Sequence, residues 1–298
     1  RQRQMCIRDR YMLEQKLYTF IKLAECESTT QTALKLHMTQ PAVSQQLKAL
    51  ETEYNIQLFN REGRRIILTN EGRQFYLMLK RMITMEQQFA EMIKQPAVKT
   101  IRFGATLSIS EGIMPELLPK MINHWKDIRF ELTTQNTKEL LRELEEGLID
   151  FALIEGNFNQ KKYAHSPIMK AKFSGFCQKG SPYKKFKRLE ECISAPLIIR
   201  EKGSGTRTIF ESECETYNIS VEDFLSSHEV DSIPVILNLV KSGAGITFAY
   251  DCAMQEGIKK GEIEEIVLEN FSLERDFSFV ALPDMLKTCL LYTSDAAD

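Results

Sequence analysis

Between Leu17 and Leu50 the apolar positions recur at helical spacing, break, and resume. Leu17, Phe20, Ile21 and Ala24 predict a helix to Glu25, Ser28 to Thr30 a cap region, Ala33 to Leu36 a short helix, and His37 and Met38 a tight turn. Thr39 then caps a helix running to Glu51, with Pro41 in a first turn where its missing N–H would have had no acceptor. Val43, Leu47 and Leu50 form the packing stripe of that helix and turn Gln40, Ser44, Gln45 and Lys48 outward. From Leu58 to Thr69 the pattern predicts a small hairpin, with Gly63 near its tip and Arg61, Arg64 and Arg65 along it. Helix, turn, helix and wing in that order is a known way to present a polar helix face to DNA.

A long helix follows, capped by Thr69 or Asn70 and running to Lys94. Phe75, Met78, Met82, Met85, Phe89 and Met92 are spaced 3, 4, 3, 4 and 3 apart, the seam of a two-helix coiled coil. Packing of the helix along its own domain is the competing reading; pairing of two copies of the chain is predicted, and with it a pseudo-palindromic site on double-stranded DNA. Gln95-Pro96-Ala97 ends the helix and marks a hinge. Beyond it, strands at Thr100–Gly104, Phe130–Thr134 and Phe151–Ile154 alternate with helices at Met114–Trp125 and Thr137–Glu146. The alternation resumes with strands at Pro196–Arg200 and Gly245–Ala249, helices at Thr206–Tyr217 and Ile233–Lys241, and a last strand at Phe277–Leu282. Such alternation predicts a parallel sheet covered by helices, here in two lobes.

Composition adds bounds. A chain of 298 residues that is 43% apolar has material for two to three domains. Its net charge of -2 does not advertise nucleic acid, so DNA binding has to rest on a local patch. No run approaches the 18 apolar residues of a membrane span, which predicts a soluble, cytoplasmic protein with no membrane partner. Cys289–Asp298 can be encoded by DNA whose reverse complement, read two bases in, gives residues 1 to 9. That sequence resembles a transposon adapter of sequencing libraries. Residues 1–10 and 289–298 are therefore expected to be non-native, with Met12 as the natural start and the natural C-terminus lost beyond Thr288. The remaining cysteines, Cys26, Cys177, Cys192, Cys214 and Cys252, show no metal-ligand spacing, and no metal or cofactor is predicted. A thiol-based redox sensor would use Cys192 and Cys214.

Two constellations carry chemistry. Gln pairs bidentately with adenine, Ser reaches several base edges and Lys favours guanine or phosphate, so Gln40, Ser44, Gln45 and Lys48 suit a major groove. An ordinary solvated helix face is the competing reading. Arginines of the wing suit phosphates or a minor groove. In the second constellation, Lys202-Gly-Ser-Gly-Thr-Arg207 joins a strand to a helix start, where Ser204, Thr206 and Arg207 predict a site for a small carboxylate or oxyanion. Thr106, Ser108 and Thr137, the last a helix cap, are expected to face it from the other lobe. The glycine-serine loop lacks the spacing and terminal lysine of a P-loop, and no nucleophile elbow accompanies it, so no enzyme is predicted. A free-standing solute-binding protein would suit the two lobes but not the attached DNA-binding module.

Phe20, Ala33, Leu36, the run Gln40-Pro41-Ala42-Val43-Ser44, Leu50-Glu51, Leu58-Phe59, Arg61, Leu68-Thr69 and Gly72 together resemble the LysR-type transcriptional regulators. Thr32 departs from that pattern, which usually has alanine there. Gly147–Ile154 and Val240–Ile246 are similar to the effector domain of the same family. The resemblance implies an N-terminal all-α winged helix-turn-helix at 12–69, with Pro41 joining the DNA-facing residues, and a linker and dimerisation helix at 70–95. It further implies an α/β two-lobed effector domain at 96–288, like the periplasmic binding proteins. Lobe one would comprise about 98–163 and 267–288, and lobe two about 164–266. A small effector would sit in the cleft, and the chain would act as a homodimer or homotetramer.

Overall fold

The computed structural model describes residues 13–63, 65–94, 99–155 and 158–283. Arg64, the hinge at 95–97 and both terminal segments lie outside the described residues, as does the side chain of Met92. The chain forms two compact units. One ends at residue 97 and also includes Glu145–Leu148; the other runs from residue 98 and holds the rest.

In the first unit, helices α1 (Gln15–Cys26), α2 (Thr29–Lys35) and α3 (Gln40–Tyr54) precede a hairpin of β1 (Phe59–Glu62) and β2 (Arg65–Leu68). α2 starts earlier than the apolar pattern predicts. The Ser28 hydroxyl accepts from the Gln31 N–H at 3.4 Å, and Thr32 is buried with its hydroxyl donating to the Ser28 carbonyl at 2.7 Å. Thr32 thus carries a polar group into a core position by closing it on its own helix. His37, at φ 53°, makes the turn into α3. Thr39 caps α3 by accepting from Ala42 N–H, and Asn55 ends it in the left-handed conformation. The core is Phe20, Leu23, Leu50, Leu58, Phe59, Phe75 and Leu79. α1 is tied to α3 by the Thr19 hydroxyl donating to Gln46 at 2.6 Å, and α3 to the wing by Leu58 N–H donating to Glu51 at 2.8 Å.

The long helix α4 (Asn70–Lys94) is capped by Thr69, whose hydroxyl accepts from Gly72 N–H at 2.9 Å. Phe75 does not belong to the exposed seam predicted from its spacing. It is buried and meets the Phe20 ring edge-on at 5.2 Å, because the first turns of α4 roof the core of this unit. The apolar stripe leaves the core at Met78, and Met82, Met85 and Phe89 are 48%, 67% and 58% exposed.

In the second unit a mixed sheet runs in the order β4-β3-β5-β11-β6-β9-β7-β8, with β10 also paired to β6. Its strands are β3 (Lys99–Ala105), β4 (Ile128–Thr134), β5 (Phe151–Glu155), β6 (Ala164–Gln178), β7 (Pro196–Ile199), β8 (Ser226–Glu229), β9 (Ile246–Tyr250), β10 (Ile263–Ile266) and β11 (Leu273–Ala281). Strands β3, β4 and β5 are parallel, as are β7, β8 and β9, as expected for each lobe. The expected all-parallel sheet is interrupted by β6 and β11, which run antiparallel to their neighbours. β6 pairs with β11 along its first part and with β9 and β10 along its last, so these strands join the two lobes. The helices are α5 (Leu107–Gly112), α6 (Met114–His124), α7 (Thr137–Glu145), α8 (Gly205–Thr216), α9 (Ile233–Lys241) and α10 (Asp251–Lys259).

Gly72 allows the start of α4 to touch the wing: a Cβ there would lie 2.0 Å from the Leu58 carbonyl oxygen. Gly72→Ala is expected to destabilise the first unit by about 1–3 kcal/mol, the cost of overpacking against backbone. Denaturant unfolding followed through this unit checks the value, and an unchanged midpoint would mean the contact yields freely.

Candidate functional site

Each unit brings chemistry-bearing residues together. On α3, burying Val43 and Leu50 leaves Gln40, Pro41, Ser44, Gln45 and Lys48 exposed on one side. Gln40 donates to the Thr29 hydroxyl at 3.1 Å, which ties the start of the exposed face to α2. Arg61 and Arg65 are exposed on the hairpin, where Arg61 is opposite Ile66 and Arg65 is opposite Glu62. A face of short polar side chains beside a hairpin bearing arginines has the inventory needed for base edges and phosphates.

In the second unit a cleft of about 370 Å³ lies at the carboxyl ends of the parallel strands. Thr106 follows β3, Thr134 ends β4 and leads into Gln135, Asn136 and Thr137, Glu155 ends β5, and Arg200 and Glu201 follow β7. Ser204 and Gly205 begin α8, and Asp231 follows β8. Carboxyl ends of parallel strands are where open α/β sheets bind ligands, since the loops there diverge and helix starts point inward. The first N–H groups of α8 have no acceptor within their helix, and Ser204 does not cap them with its side chain.

The floor of the cleft is a buried carboxyl. Glu155 Oε1 accepts from the Ser108 hydroxyl at 2.9 Å and the Thr206 hydroxyl at 3.3 Å, and those hydroxyls lie 3.2 Å apart. Its other oxygen, Oε2, and the Thr106 hydroxyl are both buried with no hydrogen-bond partner among the described residues. Burial pushes the Glu155 carboxyl up to about 7, outweighing the Ser108 hydrogen bond, the nearby Arg200 charge and the Thr206 hydrogen bond, which act the other way. Arg200 is itself buried and forms a two-pronged ion pair with Glu201, at 2.7 and 2.9 Å.

Residues 15–73 match the bacterial regulatory helix-turn-helix proteins of the lysR family, and residues 94–289 match the LysR substrate binding domain. The chain belongs to the LysR-type transcriptional regulators. The HTH-type transcriptional regulator CysL of Bacillus subtilis (strain 168) is 27% identical over 277 residues, 91% of this chain and 92% of that one. The uncharacterized HTH-type transcriptional regulator YeiE of Escherichia coli (strain K12) is 26% identical over 258 residues, 85% of each chain. In fold, the regulator is similar to ArgP from Mycobacterium tuberculosis, with a TM-score of 0.61 at 15% identity over 92% of each chain. Members of this family regulate transcription and are not enzymes. Among the described residues no helix is long and apolar enough to cross a membrane, and no group of three or more His, Cys, Asp or Glu could hold a metal ion.

Within this LysR-type regulator the residues expected at the effector site are placed unevenly. Thr106, Thr137 and Ser204 line the cleft. The cap of α7 is Asn136, which accepts from Glu139 N–H at 3.0 Å, so Thr137 is left to line the cleft and donates to the Glu155 carbonyl at 3.4 Å. Ser108 and Thr206 lie beneath the lining as the two donors to Glu155. Arg207 is not part of the lining. Its buried guanidinium pairs with Glu211 at 2.7 Å and Glu229 at 2.6 Å and donates to the Arg200 carbonyl at 3.0 Å. The cation that lines the cleft is Arg200, held in place from behind by Arg207. Glu155 and Arg200, which line the cleft, were not among the expected residues, although Glu155 ends one apolar strand and Arg200 directly follows another, and a charge in that place signals a strand end at a cleft.

Cys192 and Cys214 are both buried, and burial pushes both thiols up to about 12. A buried protonated thiol is a poor nucleophile toward oxidants.

Two outcomes follow from this geometry. Arg207→Ala is expected to lower the stability of the effector domain by about 1–3 kcal/mol, because the Arg200 carbonyl loses a buried donor. The half-exposed Glu211 and Glu229 regain water and add little to that loss. Thermal unfolding checks this. Glu155 is neutral in the unfolded chain only below its ordinary 4.5, whereas the folded protein keeps the proton up to about 7. Its contribution to stability is therefore fully present below the lower value and lost as pH rises through the higher one. Between pH 5 and 8 the parent should lose stability relative to Glu155→Gln, which does not titrate; parallel unfolding curves at both pH values would contradict the assignment.

Proposed function

We propose that the protein is an effector-responsive regulator that binds a pseudo-palindromic DNA site as a homodimer or homotetramer in the cytoplasm. Gln40, Ser44, Gln45 and Lys48 read base edges in the major groove, Pro41 shapes the entry of α3, and Arg61, Arg64 and Arg65 hold the backbone. The stripe Met78, Met82, Met85, Phe89 and Met92 pairs α4 with its counterpart in a second copy. Methionine makes this a soft seam, less specifying than leucine and isoleucine.

The effector is a small carboxylate or inorganic oxyanion held in the cleft. The observation that supports this reading is that the α8 start, Arg200 and Thr106, whose hydroxyl has no partner among the described residues, all line one space of about 370 Å³. Thr137 and Ser204 complete the polar lining, while Ser108, Thr206 and Arg207 act from behind it. An effector favouring one closure of the lobes over another changes DNA binding only by that difference in affinity. The thiol-based alternative has less support, because Cys192 and Cys214 are buried and protonated.

Thermal unfolding against a panel of small anions tests the effector reading. An anion at about 100 times its dissociation constant stabilises by about 2.7 kcal/mol, and Arg200→Ala should abolish that shift. No shift from any anion, or an equal shift in the variant, would turn the search to neutral ligands.

For the DNA reading, Gln45→Ala is expected to reduce discrimination between the operator and altered sites by about 1–3 kcal/mol at one base position. Arg65→Ala should weaken binding to all sequences alike and lower the salt slope by about 1. Titrations at two salt concentrations, on specific and random DNA, separate the two. Equal losses on both DNAs for Gln45→Ala would remove it from the base-reading set.

A further inference from the structure

The cleft presents an electrostatic conflict. Against one guanidinium, Arg200, it sets Glu155, Glu201 and Asp231, and Glu201 already occupies that guanidinium. An anion seated at the start of α8 beside an ionised Glu155 would meet a second negative charge in a poorly solvated place. The hydrogen bonding around Glu155 supplies a resolution. Both of its hydroxyl donors, Ser108 and Thr206, converge on Oε1 and leave Oε2 buried without a partner among the described residues. In the acid form, Oε1 is the accepting carbonyl oxygen and Oε2 carries the proton. A carboxylic acid so arranged has a donor to offer and, among the described residues, no acceptor paired with it.

We infer that Glu155 binds the effector as a carboxylic acid, donating its Oε2 proton to an oxyanion held between Arg200 and the start of α8, so that ionisation of Glu155 releases the effector. This rests on the cleft being the anion site and adds that effector and proton are bound together. Thr106, which lines the same cleft, has a hydroxyl that is also buried and unpartnered among the described residues. The acid form is accessible near neutrality, because burial raises Glu155 to about 7.

The charged and titratable groups around Glu155 are consistent with this. Arg200, after β7, is the cation that favours its ionisation, but that guanidinium is shared with Glu201 and lies near Glu111 of α5. Tyr250, at the end of β9, and Cys252 of α10 feel the Glu155 charge, and both are held protonated by burial. Asp231 lines the same cleft and adds negative charge. No second cation is among the residues that line it. An anion that brings its own charge next to Arg200 raises the proton affinity of Glu155 further, which is the reciprocal of the same coupling.

Acetate, glycolate and sulfate serve as probes, since each keeps a constant charge between pH 6 and 8. Affinities are measured calorimetrically for the full chain at both pH values, in the parent and in Glu155→Gln. The competent fraction of a group titrating at about 7 falls about tenfold over this range, so the parent should bind about tenfold more weakly at pH 8. Glu155→Gln keeps an N–H donor in place of the acid and should bind with little pH dependence. A probe bound equally well by the parent at both pH values would overturn the proton coupling and leave the anion site standing. So would a pH dependence that persists unchanged in the variant. Binding of none of the probes at either pH would overturn the anion site itself, and the proton coupling with it. The comparison within the parent needs no variant, so equal affinity at both pH values would overturn the coupling even if Glu155→Gln failed to fold.

Discussion

A single carboxyl oxygen, Oε1 of Glu155, accepts hydrogen bonds from a hydroxyl on α5 and a hydroxyl on α8. Those helices rise from opposite halves of the effector domain, so the geometry of the cleft depends on this junction. Such a junction is stable only when every desolvated polar group in it is satisfied or neutral, since low dielectric punishes an unpaired charge far more than water does. Burial favours the neutral form of Glu155, pushing its carboxyl up to about 7 where an exposed glutamate would be ionised. Arg200, whose carbonyl accepts from Arg207, and Thr106 line the same cleft as Glu155.

The DNA-binding unit obeys a different constraint. Apolar burial leaves little choice about which side of α3 faces outward. Val43 and Leu50 are fully buried, so Ser44, Gln45 and Lys48 face the surface, while Gln46 turns in toward Thr19 of α1. Caps fix the ends of the elements: Thr39 for α3, Ser28 for α2 and Thr69 for α4. Specific polar contacts then set the angles, with Thr19 to Gln46 between helices and Glu51 to Leu58 at the wing.

Where local sequence determines local structure, the sequence was readable. The start of α3 and both ends of α9 matched the cap and periodicity signals, whereas α3 runs on to Tyr54 past its expected end at Glu51. The ends of β3, β4, β5 and β7 were placed within a few residues, but β8 was not foreseen. β6 was not foreseen because its first part is exposed, contains Pro167 and alternates with Lys170 and Lys172, so it presents none of the apolar run that marks a buried strand. Arg207 misled for a related reason. Its charge and its place after a glycine-rich turn are visible in sequence; Glu229, which neutralises it, is 22 positions away and comes near only through the fold. Phe75 fits a heptad by spacing, yet the same spacing serves a helix that begins inside a core, and only tertiary packing decides between them.

The pairing of Arg200 with the residue next to it has a further consequence. Because Glu201 is tethered one peptide bond away, it acts as a built-in competitor present at high effective concentration, and no dilution removes it. An anion entering the cleft exchanges one charge-assisted contact for another rather than filling an idle one. On the proposed anion reading, this internal competitor lowers the apparent affinity by a constant factor, so the domain would answer to higher concentrations than a bare guanidinium in the same place.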